Sequence, residues 1–341
     1  MTILKKKINV GIIGLGRLGI RYAENFIHRI KNAELVAACS VAPRELEYAA
    51  SELGIPQLFD DYENMLNHRG IEAVFIVSPT SEHTRQMIAA LETGHHVFCE
   101  KPLATTVEEC ERVEAAAAQR PDQIAVVGFV RRFDPSYRYA KEKIESGAIG
   151  APIIVRSQTV DKDSTVSFQI DYVANSGGIF HDFNIHDIDL ARWFLGSEIK
   201  SVYAVGGAYK HKEFGEIGDA DNVMTMCVFE NGALANISAS RAATHGHDTR
   251  TEVIGTEGIL SIGRPAALNR VEISDRFGIR KECVETFYDR FQEAFLSQAK
   301  EFIDCILENR KPELTLRDAT MATKAAAAFT TSFREQRVVE I

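Results

Sequence analysis

The sequence predicts an α/β domain built on a doubly wound, mostly parallel sheet, followed by an α+β domain. Three observations predict it. Short apolar runs alternate with amphipathic helical patterns over residues 1–128. Beyond that point the pattern turns β-rich and is punctuated by tight-turn dipeptides. A glycine-rich loop joins the first apolar run to the first helical pattern.

In the first part, strands are expected at 8–13, 34–39, 73–77, 96–99 and 124–127, with helices at 18–28, 44–53, 81–93 and 107–118. Strands that alternate with helices imply right-handed crossovers and a sheet covered on both faces. Beyond Gly128, strands are expected at 153–159, 201–206, 222–229, 233–240, 251–255, 259–262 and 271–274. Asn231-Gly232 and Glu257-Gly258 read as turns between antiparallel strands. Helices near 180–194, 290–308 and 317–333 complete this half. The 341 residues therefore divide into domains at 1–128 and 129–341, with no internal repeat.

Composition narrows the function. A net charge of -9 argues against a nucleic-acid partner, which calls for a basic footprint. The Lys5-Lys6-Lys7 run leads straight into an apolar strand and reads as a solvated lead-in. No stretch approaches the roughly 20 apolar residues of a membrane span, and no secretory signal is evident. The six cysteines are dispersed and include no Cys-x-x-Cys pair, as expected of buried thiols in a reducing cytoplasm.

Gly14-Leu15-Gly16-Arg17-Leu18-Gly19 matches G-x-G-x-x-G. It follows a buried strand and opens a helix, the context in which this pattern binds a dinucleotide. Gly14 permits the tight turn, Gly16 leaves room for a pyrophosphate, and Gly19 lets the helix pack closely. The N-terminus of the helix then offers N–H groups and a positive dipole end to the phosphates. The second strand ends at Ser40, without the acid that commonly meets the ribose hydroxyls of NAD. Ser40 suits a ribose or a 2′-phosphate. Arg44 reads either as a partner for that phosphate or as a solvated residue at a helix start, so NAD is expected with NADP left open. Ser78-Pro79-Thr80 follows the next strand and belongs to the ligand crevice, while His83 either packs against this loop or lies on the surface.

Glu100-Lys101-Pro102 also falls at the carboxyl end of a strand. A lysine there faces the crevice and can stabilise a developing alkoxide. In the 180–194 helix, Phe180, Phe183, Ile188, Ala191 and Phe194 form an apolar stripe, and Asp182, His186 and Asp189 form another at i, i+4 and i+7. His186 is suited to accept a hydroxyl proton near neutral pH, and a nearby carboxylate favours its imidazolium. A polar helix face with local ion pairs and a metal site are the competing readings of that stripe.

These motifs resemble the Gfo/Idh/MocA oxidoreductase family, and within it the inositol dehydrogenases. The resemblance covers nearly the whole chain. It runs from Gly14–Gly19 through Ser78-Pro79-Thr80 with His83, Glu100-Lys101-Pro102 and 128–134 to Gly177-Gly178, Asp182-x-x-x-His186-Asp187 and 252–258. It implies a Rossmann domain and a second domain with an open, largely antiparallel sheet, through which a dimer or tetramer forms. It further implies that Lys101, Asp182 and His186 are catalytic. Arg131 then contacts substrate beside the nicotinamide, and Asp161 and His247 meet polyol hydroxyls.

The expectation is NAD(P)-dependent oxidation of a secondary hydroxyl of a small cyclic polyol, myo- or scyllo-inositol, to the ketone. Cofactor contacts are expected from Gly14, Gly16, Arg17, Leu18, Gly19, Ser40, Arg44, Ser78, Thr80, His83, Glu100 and Lys101, with no metal. An NADP-linked aldose dehydrogenase or reductase on the same scaffold and a non-catalytic dinucleotide sensor are the rivals. A metal-dependent hydrolase using Asp182, His186 and Asp189 is a third, which leaves the glycine loop without a role.

Overall fold

Six parallel strands form the first sheet of the computed structural model, which describes residues 7–163, 170, 173, 176–263 and 267–341. Lys5 and Lys6 of the basic lead-in lie outside the described residues. The strands are β1 (Ile8–Ile13), β2 (Ala33–Cys39), β3 (Gln57–Phe59), β4 (Ala73–Ile76), β5 (His96–Glu100) and β6 (Ala125–Gly128). They lie in the order β3-β2-β1-β4-β5-β6, and every pairing is parallel. Between them run α1 (Arg17–His28), α2 (Pro43–Ser51), α3 (Tyr62–Leu66), α4 (Thr80–Glu92) and α5 (Val107–Ala118). The order reverses between β1 and β4, and ligands bind beyond the carboxyl ends of the strands at such a switch point.

The edge strand β3 and the short helix α3 were not expected. Three half-exposed or exposed residues in β3 carry too little apolar pattern to announce a strand.

The chain forms two compact units. The first takes in 1–129 and, from the far end of the sequence, 295–320. The sequence pattern breaks once, after Gly128, and does not anticipate that return. Within this unit Phe302 closes an aromatic core with Phe75 and Phe98, whose rings stack with centroids 4.2 Å apart.

The second unit takes in 130–294 and 321–341. It begins with a 3₁₀ turn (Val130–Phe133), followed by α6 (Pro135–Glu145) and β7 (Pro152–Lys162). A π-helical turn (Phe180–Asn184) leads into α7 (Ile185–Leu195). Then come β8 (Ile199–Gly207), α8 (Lys212–Glu216), β9 (Asn222–Phe229), β10 (Leu234–Ala243), β11 (Asp248–Gly255) and β12 (Ile259–Ile262). A small hairpin pairs β13 (Ile273–Asp275) with β14 (Gly278–Arg280). The helices α9 (Phe287–Glu308) and α10 (Leu316–Glu335) and the strand β15 (Val339–Glu340) end the chain.

The second sheet has the order β12-β11-β7-β10-β9-β8-β15, antiparallel at every step except the parallel pair β7–β10. Its strands alternate. In β9, Val223, Thr225, Cys227 and Phe229 are buried, whereas Met224 and Met226 are 50% and 51% exposed. Tyr203, Val205, Val228 and Leu234 are exposed as well, so one face of this sheet carries an apolar surface. Among the described residues, no helix is long and apolar enough to cross a membrane.

Candidate active site

In the first unit, the turn after β1 needs glycine for two different reasons. Gly14 has φ of 92°, and a Cβ there would stand 2.7 Å from the Val77 carbonyl. A Cβ at Gly19 would collide with the Gly14 carbonyl oxygen, so the start of α1 rests on the turn itself. Gly16 differs, since a Cβ there would meet nothing within 4 Å. That open space lies at the N-terminus of α1, which carries no side-chain cap. Arg17 is exposed and Leu18 half-buried beside it. The arrangement fits a dinucleotide pyrophosphate, whose oxygens can take the uncapped N–H groups.

The loops after β4 and β5 are tied to each other. His83 is buried, its Nδ1 2.8 Å from the Pro102 carbonyl oxygen and its Nε2 2.9 Å from that of Ser78. Burial pushes its pKa down, against the pull of these two carbonyls. His83 was expected to pack against the Ser78 loop or to lie on the surface, and it packs against that loop. Ser78 Oγ donates to Gln86 Oε1 at 2.6 Å. Thr80 Oγ1 is buried without a hydrogen-bond partner among the described residues, a free group where a cofactor amide or hydroxyl would be met.

Glu100 is buried, and its Oε1 accepts the Tyr22 hydroxyl at 2.5 Å and Gln298 Nε2 at 3.3 Å, while Oε2 accepts the Lys101 backbone N–H at 3.1 Å. Burial raises its pKa, opposed by the Tyr22 hydroxyl and the Lys101 charge. With its oxygens so engaged, Glu100 fixes the backbone at Lys101. Lys101 itself is half-buried at the carboxyl end of β5, next in the sheet to β4.

At the tip of β2, Ser40 is buried, and its Oγ donates to Glu45 Oε2 at 2.5 Å and accepts the Ala42 N–H at 3.1 Å. Its proton is therefore committed to a carboxylate, which corrects the reading of Ser40 as a spare donor. Arg44 is exposed.

In the second unit, two buried ion pairs set the rotation of α7. Arg131 Nη1 donates to Asp187 Oδ1 at 2.7 Å and Nη2 to Thr159 Oγ1 at 2.6 Å. Arg132 grips Asp189 with Nε to Oδ2 at 2.8 Å and Nη2 to Oδ1 at 2.6 Å. Asp187 is fully buried and takes further bonds from Ser157, Thr159 and Asn184. The Arg131 guanidinium also packs against Phe291, so the side chain expected to meet substrate is fixed in place beside Asp187.

Asp189 leaves the stripe predicted for it, because it is buried against Arg132 while Asp182 and His186 are half-exposed. The π-helical turn at Phe180–Asn184 shifts the spacing that a regular α-helix would give, and such turns recur at functional sites. The expected apolar stripe, Phe180 to Phe194, is buried as read.

Asp161 and His247 come together. His247 Nδ1 lies 3.4 Å from Asp161 Oδ1, and its ring stands edge-on to Phe291. His247 is buried, and its Nε2 has no partner among the described residues.

Sequence reasoning missed the Asp219–Arg241 pair altogether. Arg241 is fully buried, donates to Asp219 Oδ2 at 2.6 Å, and lies against Phe183 and Phe214. Asp219 Oδ1 accepts the Ile179 N–H at 3.2 Å, so the pair holds the segment that leads to Asp182. The only signal for it was the single charged residue in the strand Leu234–Ala243.

Comparison with known proteins covers both units. Residues 8–129 match the model of an oxidoreductase family with an NAD-binding Rossmann fold, and residues 137–261 match the GFO/IDH/MocA C-terminal domain. A scyllo-inositol 2-dehydrogenase (NAD(+)) of Bacillus subtilis is 36% identical over 99% of this chain and 97% of its own length. A myo-inositol 2-dehydrogenase of Thermotoga maritima is 33% identical over 98% of both chains. Among solved structures, scyllo-inositol dehydrogenase from Lactobacillus casei, with bound NAD(H) and scyllo-inositol, superposes with a TM-score of 0.95 at 39% identity, over 98% of this chain and 99% of that one.

Proposed function

The chain belongs to the Gfo/Idh/MocA oxidoreductase family, and we propose that within it this protein is an NAD-dependent dehydrogenase of a cyclic polyol, myo- or scyllo-inositol. The observation that carries the reading is end-to-end likeness, through both units, to inositol dehydrogenases. The residues present supply the chemistry. His186 accepts the proton of the reacting hydroxyl, and Asp182 orients the ring and supports the imidazolium. Lys101 is suited to donate a hydrogen bond to a developing alkoxide and so stabilise it. NAD, when bound, supplies the acceptor for the hydride that leaves the same carbon. Gly16, the uncapped start of α1 and Thr80 would hold that cofactor. The unspent Nε2 of His247, beside Asp161, is suited to a neighbouring ring hydroxyl.

Asp189, committed to Arg132, is unsuited to the ligand role that the metal-dependent hydrolase required of it. We further place the protein in the cytoplasm, where cysteine thiols stay reduced. We assign the apolar face with Met224 and Met226 to a homo-oligomer interface.

The test is a substrate panel followed by absorbance of the reduced nicotinamide. Myo-inositol, scyllo-inositol, glucose and xylose are each offered with NAD⁺ and with NADP⁺. One inositol with NAD⁺ is expected to give the highest kcat/KM, and a clear preference for an aldose would overturn the substrate assignment.

A further inference from the structure

Family members commonly end β2 with an acid that receives the adenosine ribose, and this chain has Ser40 there. The structure returns a carboxylate to the place by another route. Ser40 is the residue immediately after β2, one position beyond Cys39, whose carbonyl accepts the Gly14 N–H at 2.9 Å. The β2 tip and the glycine loop are thus joined through the backbone. From that tip the Ser40 hydroxyl reaches Glu45 Oε2, in the first turn of α2.

Both hydrogen-bonding directions of the hydroxyl are occupied, since it donates to Glu45 and accepts from the Ala42 N–H. It therefore has no proton to offer a phosphate. It serves instead to hold the Glu45 carboxylate, while Oε1 has no other bond to a described residue. A half-buried carboxylate fixed in this way can accept from ribose hydroxyls. It also places negative charge where the 2′-phosphate of NADP would come, and like charges brought together discriminate strongly. Arg44, the cation nearest in sequence, is exposed, and its neighbour Glu45 holds the position at the tip.

We propose that Glu45, held by Ser40, is the residue that selects NAD over NADP. It contributes the ribose-facing carboxylate that the end of β2 lacks. The inference rests on the dinucleotide reading of the glycine loop, and the experiment separates the two.

Binding of NADH and of NADPH is measured by nicotinamide fluorescence and by calorimetry, without substrate, for the wild type, Glu45→Gln, Ser40→Ala and Arg44→Ala. The wild type is expected to bind NADH at least about tenfold tighter than NADPH. Glu45→Gln keeps the shape and removes the charge, so NADPH affinity should rise about tenfold while NADH affinity changes only a few-fold. Ser40→Ala, which frees the carboxylate, should weaken NADH. Arg44→Ala should leave the ratio unchanged. Unaltered selectivity in Glu45→Gln, or loss of NADPH binding in Arg44→Ala, would overturn the assignment of Glu45 while the dinucleotide site stands. A wild type that binds neither nucleotide would overturn the dinucleotide reading itself.

Discussion

The two units hold their functional groups by different means. In the first, the positions are set by backbone conformation and by hydrogen bonds from neutral partners. Two glycines shape one turn, His83 sits between two carbonyl oxygens, and Tyr22 with Gln298 donates to the buried Glu100. In the second, they are set by buried charge: Arg131 with Asp187, Arg132 with Asp189, and Arg241 with Asp219. The difference follows from what each must present. A turn that cradles a pyrophosphate offers main-chain N–H groups, so the backbone path is itself the site. A helix that aims two side chains at a substrate must be fixed in rotation, and buried pairs with few alternative partners do that at a cost in desolvation.

The largest effects should separate the two units cleanly. Gly16→Val fills the open space at the start of α1 and is expected to abolish NADH binding, with the circular dichroism spectrum unchanged. His186→Ala should do the opposite, leaving NADH affinity near wild type while kcat falls about 10²–10⁴-fold. Calorimetry and turnover on both variants test this. Near-normal turnover in His186→Ala would require another base, and wild-type NADH affinity in Gly16→Val would remove the cofactor assignment.

Stability should separate them next. Asp189→Ala leaves Arg132 buried without its partner, and about 3–5 kcal/mol of stability should be lost. Arg132→Met combined with Asp189→Leu should recover most of that loss, because two apolar side chains need no compensation. In the first unit, Tyr22→Phe removes a hydroxyl donor from Glu100 and should cost about 1 kcal/mol. Urea unfolding of the four proteins gives the comparison. Equal losses for Asp189→Ala and Tyr22→Phe would contradict a division between charge and neutral bonds.

This division also explains what the sequence could disclose. The glycine loop, Ser78-Pro79-Thr80 and Glu100-Lys101-Pro102 are contiguous, and each follows a strand whose apolar pattern is plain. The parallel sheet was therefore legible, as was the position of Lys101. Pairings across 56 and 57 residues, such as Arg131–Asp187 and Arg132–Asp189, leave no local pattern, so the burial of Asp189 away from Asp182 and His186 was not legible. Glu45 escaped notice because an acid was sought at the β2 end itself and not five residues later. The helix α6 was missed despite a readable signal. Asp134 caps it by accepting the Ser136 and Tyr137 N–H groups, and Pro135 stands in its first turn.

The smallest expected effect concerns a neutral side chain among the charges of the second unit. His181, one residue before Asp182, donates from Nδ1 to the Gly177 carbonyl oxygen at 3.0 Å. Burial pushes its pKa down to about 4, although the Gly177 carbonyl and Asp219 pull it upward. In the unfolded chain it returns to about 6.5. Between those values the unfolded state binds the proton and the folded state does not, so stability falls as pH falls through this window. From pH 7 to about pH 5.5 the loss from this group amounts to ~1 kcal/mol. His181→Asn keeps an amide donor for Gly177 and cannot titrate there. The variant should therefore lose ~1 kcal/mol less than wild type over the same pH interval in urea unfolding. Identical pH slopes for the two proteins would mean that His181 titrates in the folded state as it does in the unfolded chain, so that its burial does not keep it neutral.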